Sequence, residues 1–199
     1  MAVSAKEVKE LREQTGAGMM DCKKALSECK GDFEEAVKLL RKKGLAAAAK
    51  RSGRAANEGL VDSYIHAGGK IGVLVEVGCE TDFVARNDDF RIFVHDVAMH
   101  IAAAAPRYIK REDVPEDVIA AELEIYKEQA RATGKPDNIL EKIATGKLDK
   151  FYEQVCLMEQ PFIRDDKLTI EQLLGELVGK IGENIIIKRF ARFELGKES

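Results

Sequence analysis

Apolar residues return every three or four positions over the first forty residues, then at every second position, and then at three and four again. Val8 and Leu11 begin a helical stripe. Before it stands Ser4-Ala5-Lys6-Glu7, where a Ser hydroxyl and a Glu carboxylate can satisfy free backbone donors at a helix start. The loop Thr15-Gly16-Ala17-Gly18 should end that helix. A second presents Cys22, Ala25, Leu26 and Cys29 on one face and stops at Gly31. Asp32 caps a third, with Phe33, Ala36, Val37 and Leu40 turned inward, and Gly44 is expected to end it. Residues 45–56 hold no acid and no large apolar side chain after Leu45, which reads as a connector with some helical tendency.

From Gly59 the period shortens to two. Leu60 to His66, the turn Ala67-Gly68-Gly69-Lys70, and Ile71, Val73, Val75 and Val77 predict a hairpin. A third strand is expected from Asn184 to Leu195, with Ile185, Ile187, Ala191 and Phe193 on one face. Between them Phe90, Phe93, Val94, Val97 and Ile101 predict a helix up to Pro106. Further helices are expected over 115–131, within 136–160 and over 168–181. The expected fold is therefore α+β: a three-helix bundle over 1–44, a linker over 45–56, and a core over 57–199. In that core helices cover one face of a three-stranded antiparallel sheet. The bare face of so small a sheet is a candidate dimer interface.

Composition narrows the function classes. Of 199 residues 45% are hydrophobic and 34% charged, which supports a real core. Lys and Arg number 32 against 35 Asp and Glu, and a formal charge of -3 argues against general nucleic-acid binding. Arg41 to Arg54 is locally basic, yet no aromatic residue is interleaved for base stacking, so a solvated connector is the reading. Cys22, Cys29, Cys79 and Cys156 form no Cys-x-x-Cys pair, and no His completes a zinc set. They are expected to be reduced thiols in a reducing compartment. Met1-Ala2-Val3-Ser4 has no apolar leader pattern, and the Ala-rich run from Val97 to Pro106 is too short to span a bilayer. The expectation is a cytoplasmic protein with no membrane association, metal or cofactor.

Enzyme motifs fail on inspection. Gly175-Glu-Leu-Val-Gly179-Lys180 has one residue too few for a phosphate loop, and Ile181 stands where a Mg²⁺-binding hydroxyl is needed. Gly16-Ala17-Gly18-Met19-Met20-Asp21 mimics a dinucleotide fingerprint but follows no strand. His95 and His100, five apart on one helix, point about 140° from each other. Cys79 beside Glu80 has no nearby His and reads as a packed thiol.

One junction stands out. The strand ending at Val77 leads into Gly78-Cys79-Glu80-Thr81-Asp82-Phe83-Val84-Ala85-Arg86-Asn87, just before the amphipathic helix. Thr81 or Asp82 can cap a helical turn there, and Asn87 can cap the helix. The residues leave two readings of Phe83 open. It can fold down with Val84 as a hydrophobic staple, or protrude beside Asp82 as a probe for a groove on another protein.

Glu80-Thr81-Asp82-Phe83-Val84-Ala85-Arg86-Asn87 resembles the signature of the elongation factor Ts family, the guanine-nucleotide exchange factors of elongation factor Tu. A second family motif runs from Leu11 through Thr15-Gly16-Ala17-Gly18-Met19-Met20-Asp21-Cys22 to Lys23. Others stand at Asn57-Glu58-Gly59, Lys150 to Cys156 and Glu159-Gln160-Pro161-Phe162. The resemblance implies a ubiquitin-associated-like N-terminal module that docks on elongation factor Tu through Arg12, Met19, Met20 and Lys23. For Met19 core packing stands as the alternative. It also implies that Thr81, Asp82, Phe83 and Val84 enter the partner near its Mg²⁺ site, where Asp82 and Phe83 help dislodge the ion. The partner would be met in its GDP-bound and nucleotide-free forms, and the factor itself would bind no nucleotide. Short members of this kind work as homodimers, so an assembly of two factors with two partners is implied. A generic protein-binding adaptor and an RNA-binding accessory protein are the alternatives.

Overall fold

The computed structural model describes residues 3–134 and 136–197. In chain order its elements are α1 (Ala5–Thr15), α2 (Met19–Glu28), α3 (Phe33–Arg51), β1 (Glu58–Ile65), β2 (Ile71–Cys79), α4 (Asp82–Ala85) and α5 (Asp88–Ala104). There follow α6 (Glu116–Ala132), α7 (Asp137–Val155), β3 (Pro161–Phe162), β4 (Asp165–Thr169), α8 (Ile170–Ile181) and β5 (Ile185–Glu194). This is the expected α+β fold. The chain falls into two compact units, one running up to Ala102 and resuming at Glu171, the other Ala103–Ile170.

Local chemistry sets the first helices. Ser4 Oγ accepts from the Glu7 amide and the Glu7 carboxylate accepts from the Ser4 amide at 2.7 Å, so the capping box closes. Gly16 ends α1 in the left-handed region at φ 66°. Asp32 Oδ1 caps α3 by accepting from the Glu35 amide at 3.0 Å. Val8, Leu11, Cys22, Ala25, Leu26 and Ala36 form the bundle's core.

The third helix does not stop at Gly44 as expected; it continues to Arg51. Leu45 to Lys50 includes the run Ala46-Ala47-Ala48-Ala49, the strongest helix formers, so propensity carries the helix onward. Gly44 is instead buried where α3 crosses α8. A Cβ at Gly44 would lie 2.8 Å from the Gly175 carbonyl oxygen, and one at Gly175 would meet Leu45 at 3.0 Å. Arg41 Nε donates to Glu176 at 3.0 Å across the same crossing.

The sheet order is β1-β2-β5, antiparallel throughout. Val73, Val75 and Val77 of β2 point into the core, with Phe90, Phe93, Val94, Val97 and Ile101 of α5 also buried. On that side His95 of α5 meets Asp62 of β1 at 3.1 Å and its ring lies edge-on to Tyr64.

A second correction concerns β5. Glu76 pairs with Arg189 but Val77 with Ile187, so Lys188 is an extra residue in the ladder. That bulge flips the alternation: Ile185 and Ile187 are buried, whereas Ala191 and Phe193 face outward. The four do not share a face. A third correction lies before α8, where Leu168 belongs to β4, half of a small hairpin with β3 that sequence pattern missed.

In the second unit α6 and α7 form a helical hairpin, with Val114, Leu148, Phe151, Tyr152 and Cys156 buried beneath Tyr108 and Tyr126. Arg111 lies over the Tyr152 ring and pairs with Glu159 and Asp149.

Candidate functional site

The corner between β2 and α5 is built from hydrogen bonds that begin inside the sheet. Cys79, fully buried, donates its Sγ–H to the Thr81 carbonyl at 3.2 Å. Burial pushes the Cys79 thiol up, and the Glu183 charge adds to it. Glu80 accepts from the Asn184 amide at 2.6 Å and from Arg54 at 3.3 Å. The Asn184 hydrogen bond, seconded by Arg54, holds its carboxyl below the usual carboxylate range against a smaller burial effect.

Thr81 then starts a single helical turn. Its backbone is extended (φ -129°), and its Oγ1 accepts from the Val84 amide at 3.4 Å. The same hydroxyl donates to Glu183 Oε1 at 2.7 Å, and the Thr81 amide donates to Glu183 Oε2 at 3.1 Å. Successive helical residues point about 100° apart, and here that separates the pair. Val84 turns down and is 9% exposed, while Phe83 stands out at 81%. Of the two readings left open by the residues, the geometry divides them: Val84 packs and Phe83 does not. Asp82 sits beside the ring, accepting from Arg86 at 2.8 Å in a solvent-facing pair. Asn87 Oδ1 accepts from the Asp89 amide at 2.9 Å and opens α5.

The second set lies on the bundle. α1 packs on α2, so Arg12 near the end of one and Met19, Met20 and Lys23 at the start of the other border the same loop, 16–18. All four are exposed, Met19 at 46% and Met20 at 63%, and Met19 is not among the bundle's buried core. Met19 and Lys23, four apart, share one side of α2. Gly18 caps α2 without a side-chain hydrogen bond.

Sequence reasoning missed Glu183 and Asn184, which hold the corner from the turn before β5. A polar Gly182-Glu183-Asn184 directly ahead of an apolar strand was the available signal. Among the described residues no group of three or more His, Cys, Asp or Glu is placed to hold a metal ion. No helix among them is long and apolar enough to cross a membrane. In the basic stretch Arg41, Lys43 and Arg54 face Glu176, Glu28 and Glu80.

Comparison with known proteins agrees over the whole length. The family model described as Elongation factor TS matches residues 1–197. The chain is 62% identical over 197 residues to Elongation factor Ts of Geobacter sulfurreducens, covering 99% of this chain and 91% of that protein. It is 66% identical over 195 residues to Elongation factor Ts of an Anaeromyxobacter species, covering 98% and 89%. The corresponding protein of a Thermoanaerobacter species is 61% identical over 195 residues, with 98% and 96% covered.

Proposed function

Since this chain belongs to the elongation factor Ts family, and so to the translation elongation factors, we propose that it is the guanine-nucleotide exchange factor of elongation factor Tu. The observation that carries the reading is Phe83, 81% exposed at a corner anchored by hydrogen bonds on both sides. An aromatic ring held out this way is suited to fill a groove on a partner, with the Asp82 carboxylate beside it.

The energetics follow from linkage. GDP and Mg²⁺ leave such a partner slowly because backbone amides and the ion hold the phosphates. A factor that bound the GDP-bound and nucleotide-free forms equally would shift nothing. It has to favour the nucleotide-free form, and it then weakens nucleotide by the same factor. Each tenfold weakening uses about 1.4 kcal/mol of partner-binding energy. Entry of Asp82 and Phe83 near the Mg²⁺ site is the source of that preference, with Thr81 and Val84 holding the turn. The factor binds no nucleotide, makes and breaks no covalent bond, and works in the cytoplasm.

In this scheme residues 1–44 dock through Arg12, Met19, Met20 and Lys23, residues 45–56 connect, and residues 57–199 carry the tip and a dimer face. Val61, Ile65, Leu74 and Phe193 are exposed on the uncovered side of the sheet, at 62%, 66%, 48% and 58%. They support a homodimer, two factors working with two partners. In the basic stretch three of the six cations already face acids, which weakens the case for an RNA-binding role.

Release of labelled GDP from elongation factor Tu, with and without this protein, tests the proposal. Wild type should accelerate release, and Phe83→Ala should fold normally yet accelerate it far less. A folded Phe83→Ala protein with wild-type kinetics removes the role given to the ring.

A further inference from the structure

A helix of four residues cannot hold itself together, because one turn fixes many dihedral angles for a single hydrogen bond. The turn α4 that presents Phe83 therefore needs an anchor from elsewhere in the chain. Two neighbouring residues supply it from the turn between α8 and β5, where Gly182 at φ 86° allows the reversal. Both carboxylate oxygens of Glu183 are engaged by one residue, Thr81, through its amide and its hydroxyl. The hydroxyl proton goes to Glu183, which leaves a lone pair of Oγ1 for the Val84 amide. The donors thus run in one direction, from Val84 through Thr81 to Glu183.

Asn184 fixes the anchor itself. Its amide donates to Glu80, and its Nδ2 donates to the Arg54 carbonyl at 2.7 Å. Ile185, next in the chain, is already paired with Cys79 in the ladder. The turn at 183–184 is therefore tied to the sheet and to the segment leaving α3, and the corner is tied to the turn. Glu183 is only half-buried, so its removal returns two donors to water and leaves the core intact.

We propose that Glu183 is a positioning residue that acts through Thr81 to hold Phe83 in one orientation before a partner arrives. The inference rests on the exchange-factor reading for its activity consequence, but its structural half stands on the free protein. Preorganising the ring avoids ordering it during binding, which is where affinity is otherwise lost. A purely structural role would lower stability and leave the activity of folded molecules alone.

The test uses full-length protein with Glu183→Ala, Glu183→Gln, Phe83→Ala and the Glu183→Ala/Phe83→Ala double variant. In the free protein, amide hydrogen exchange at Thr81 and Val84 should be at least about tenfold faster in Glu183→Ala, which loses both charge-assisted hydrogen bonds from Thr81. In GDP release from elongation factor Tu, Glu183→Ala should lower the maximal rate by about tenfold. The factor concentration for half-maximal release should change little, because docking by the bundle is untouched. Glu183→Gln should recover most of the rate, since its amide oxygen accepts from the Thr81 amide and its N–H₂ donates to Oγ1. The double variant should be no slower than Phe83→Ala, as expected for residues acting through one another.

Wild-type exchange at Thr81 and Val84 in Glu183→Ala overturns the proposal, as does a double variant whose losses add. Phe83→Ala releasing GDP at the wild-type rate overturns the reading of the tip instead. In that event the amide exchange still decides whether Glu183 holds the corner.

Discussion

Phe83 and Val84 are neighbours of similar apolar character with opposite fates, and a pattern of apolar positions cannot separate them. What separates them is the Thr81 cap, which sets where the turn begins and hence which side faces the sheet. Phe83→Ala should change stability by no more than about 0.5 kcal/mol, because an exposed ring loses little burial. Val84→Ala should cost about 2 kcal/mol for lost burial and the void left behind. Urea unfolding of the two variants measures the contrast, and equal losses would contradict the geometry. The thiols offer a second check. Burial pushes the Cys156 thiol up to about 11 and raises Cys22 and Cys79, while Cys29 is half-buried at the end of α2. In native protein at neutral pH, iodoacetamide should modify Cys29 first, followed by mass spectrometry, with Cys156 reacting only on unfolding. Glu80 has a lowered folded value, so its contribution to the corner is complete above the usual carboxylate range and fades as pH falls through that lowered value. Amide exchange at Asn184, whose N–H it accepts, should accelerate on that acid side after correction for intrinsic rates.

The elements were mostly legible. The capping box at Ser4, the cap at Asp32, the hairpin from Leu60 to Val77 and the stripe of α5 all fall where local chemistry and periodicity place them. Two features have partners distant in the chain: the glycine at position 44 and the face that β5 presents. Gly44 looks like a helix stop, but the contact with Gly175 explains the glycine and the alanines beyond it keep the helix going. Gly44→Ala should therefore destabilise by about 1–3 kcal/mol through overpacking, despite a gain of roughly 1 kcal/mol in helix propensity. Chemical denaturation of that variant distinguishes the two effects by sign, and stabilisation would mean that α8 gives way. The bulge at Lys188 is the other case: one extra residue reverses the faces of β5, and a period of two carries no record of it.

For the whole molecule, the bulge decides which residues the uncovered sheet face presents. Phe193 and Ala191 join Val61 and Leu74 there because the alternation flips after Ile187. If that face joins two copies, Leu74→Asp should shift the protein towards monomer in sedimentation velocity without unfolding it, since Leu74 is half exposed in one chain. An unchanged distribution would remove this face from the assembly. By itself the sequence determined the α+β class, the bundle with its caps, the hairpin, and the family motifs around Thr15 and Phe83, because these rest on contacts between near neighbours. Only the tertiary structure decided that Phe83 points outward, why a glycine stands inside α3 at position 44, and that Glu183 and Asn184 grip a corner more than a hundred residues earlier. Those outcomes are set by which distant groups meet, and spacing along a chain does not encode the meeting.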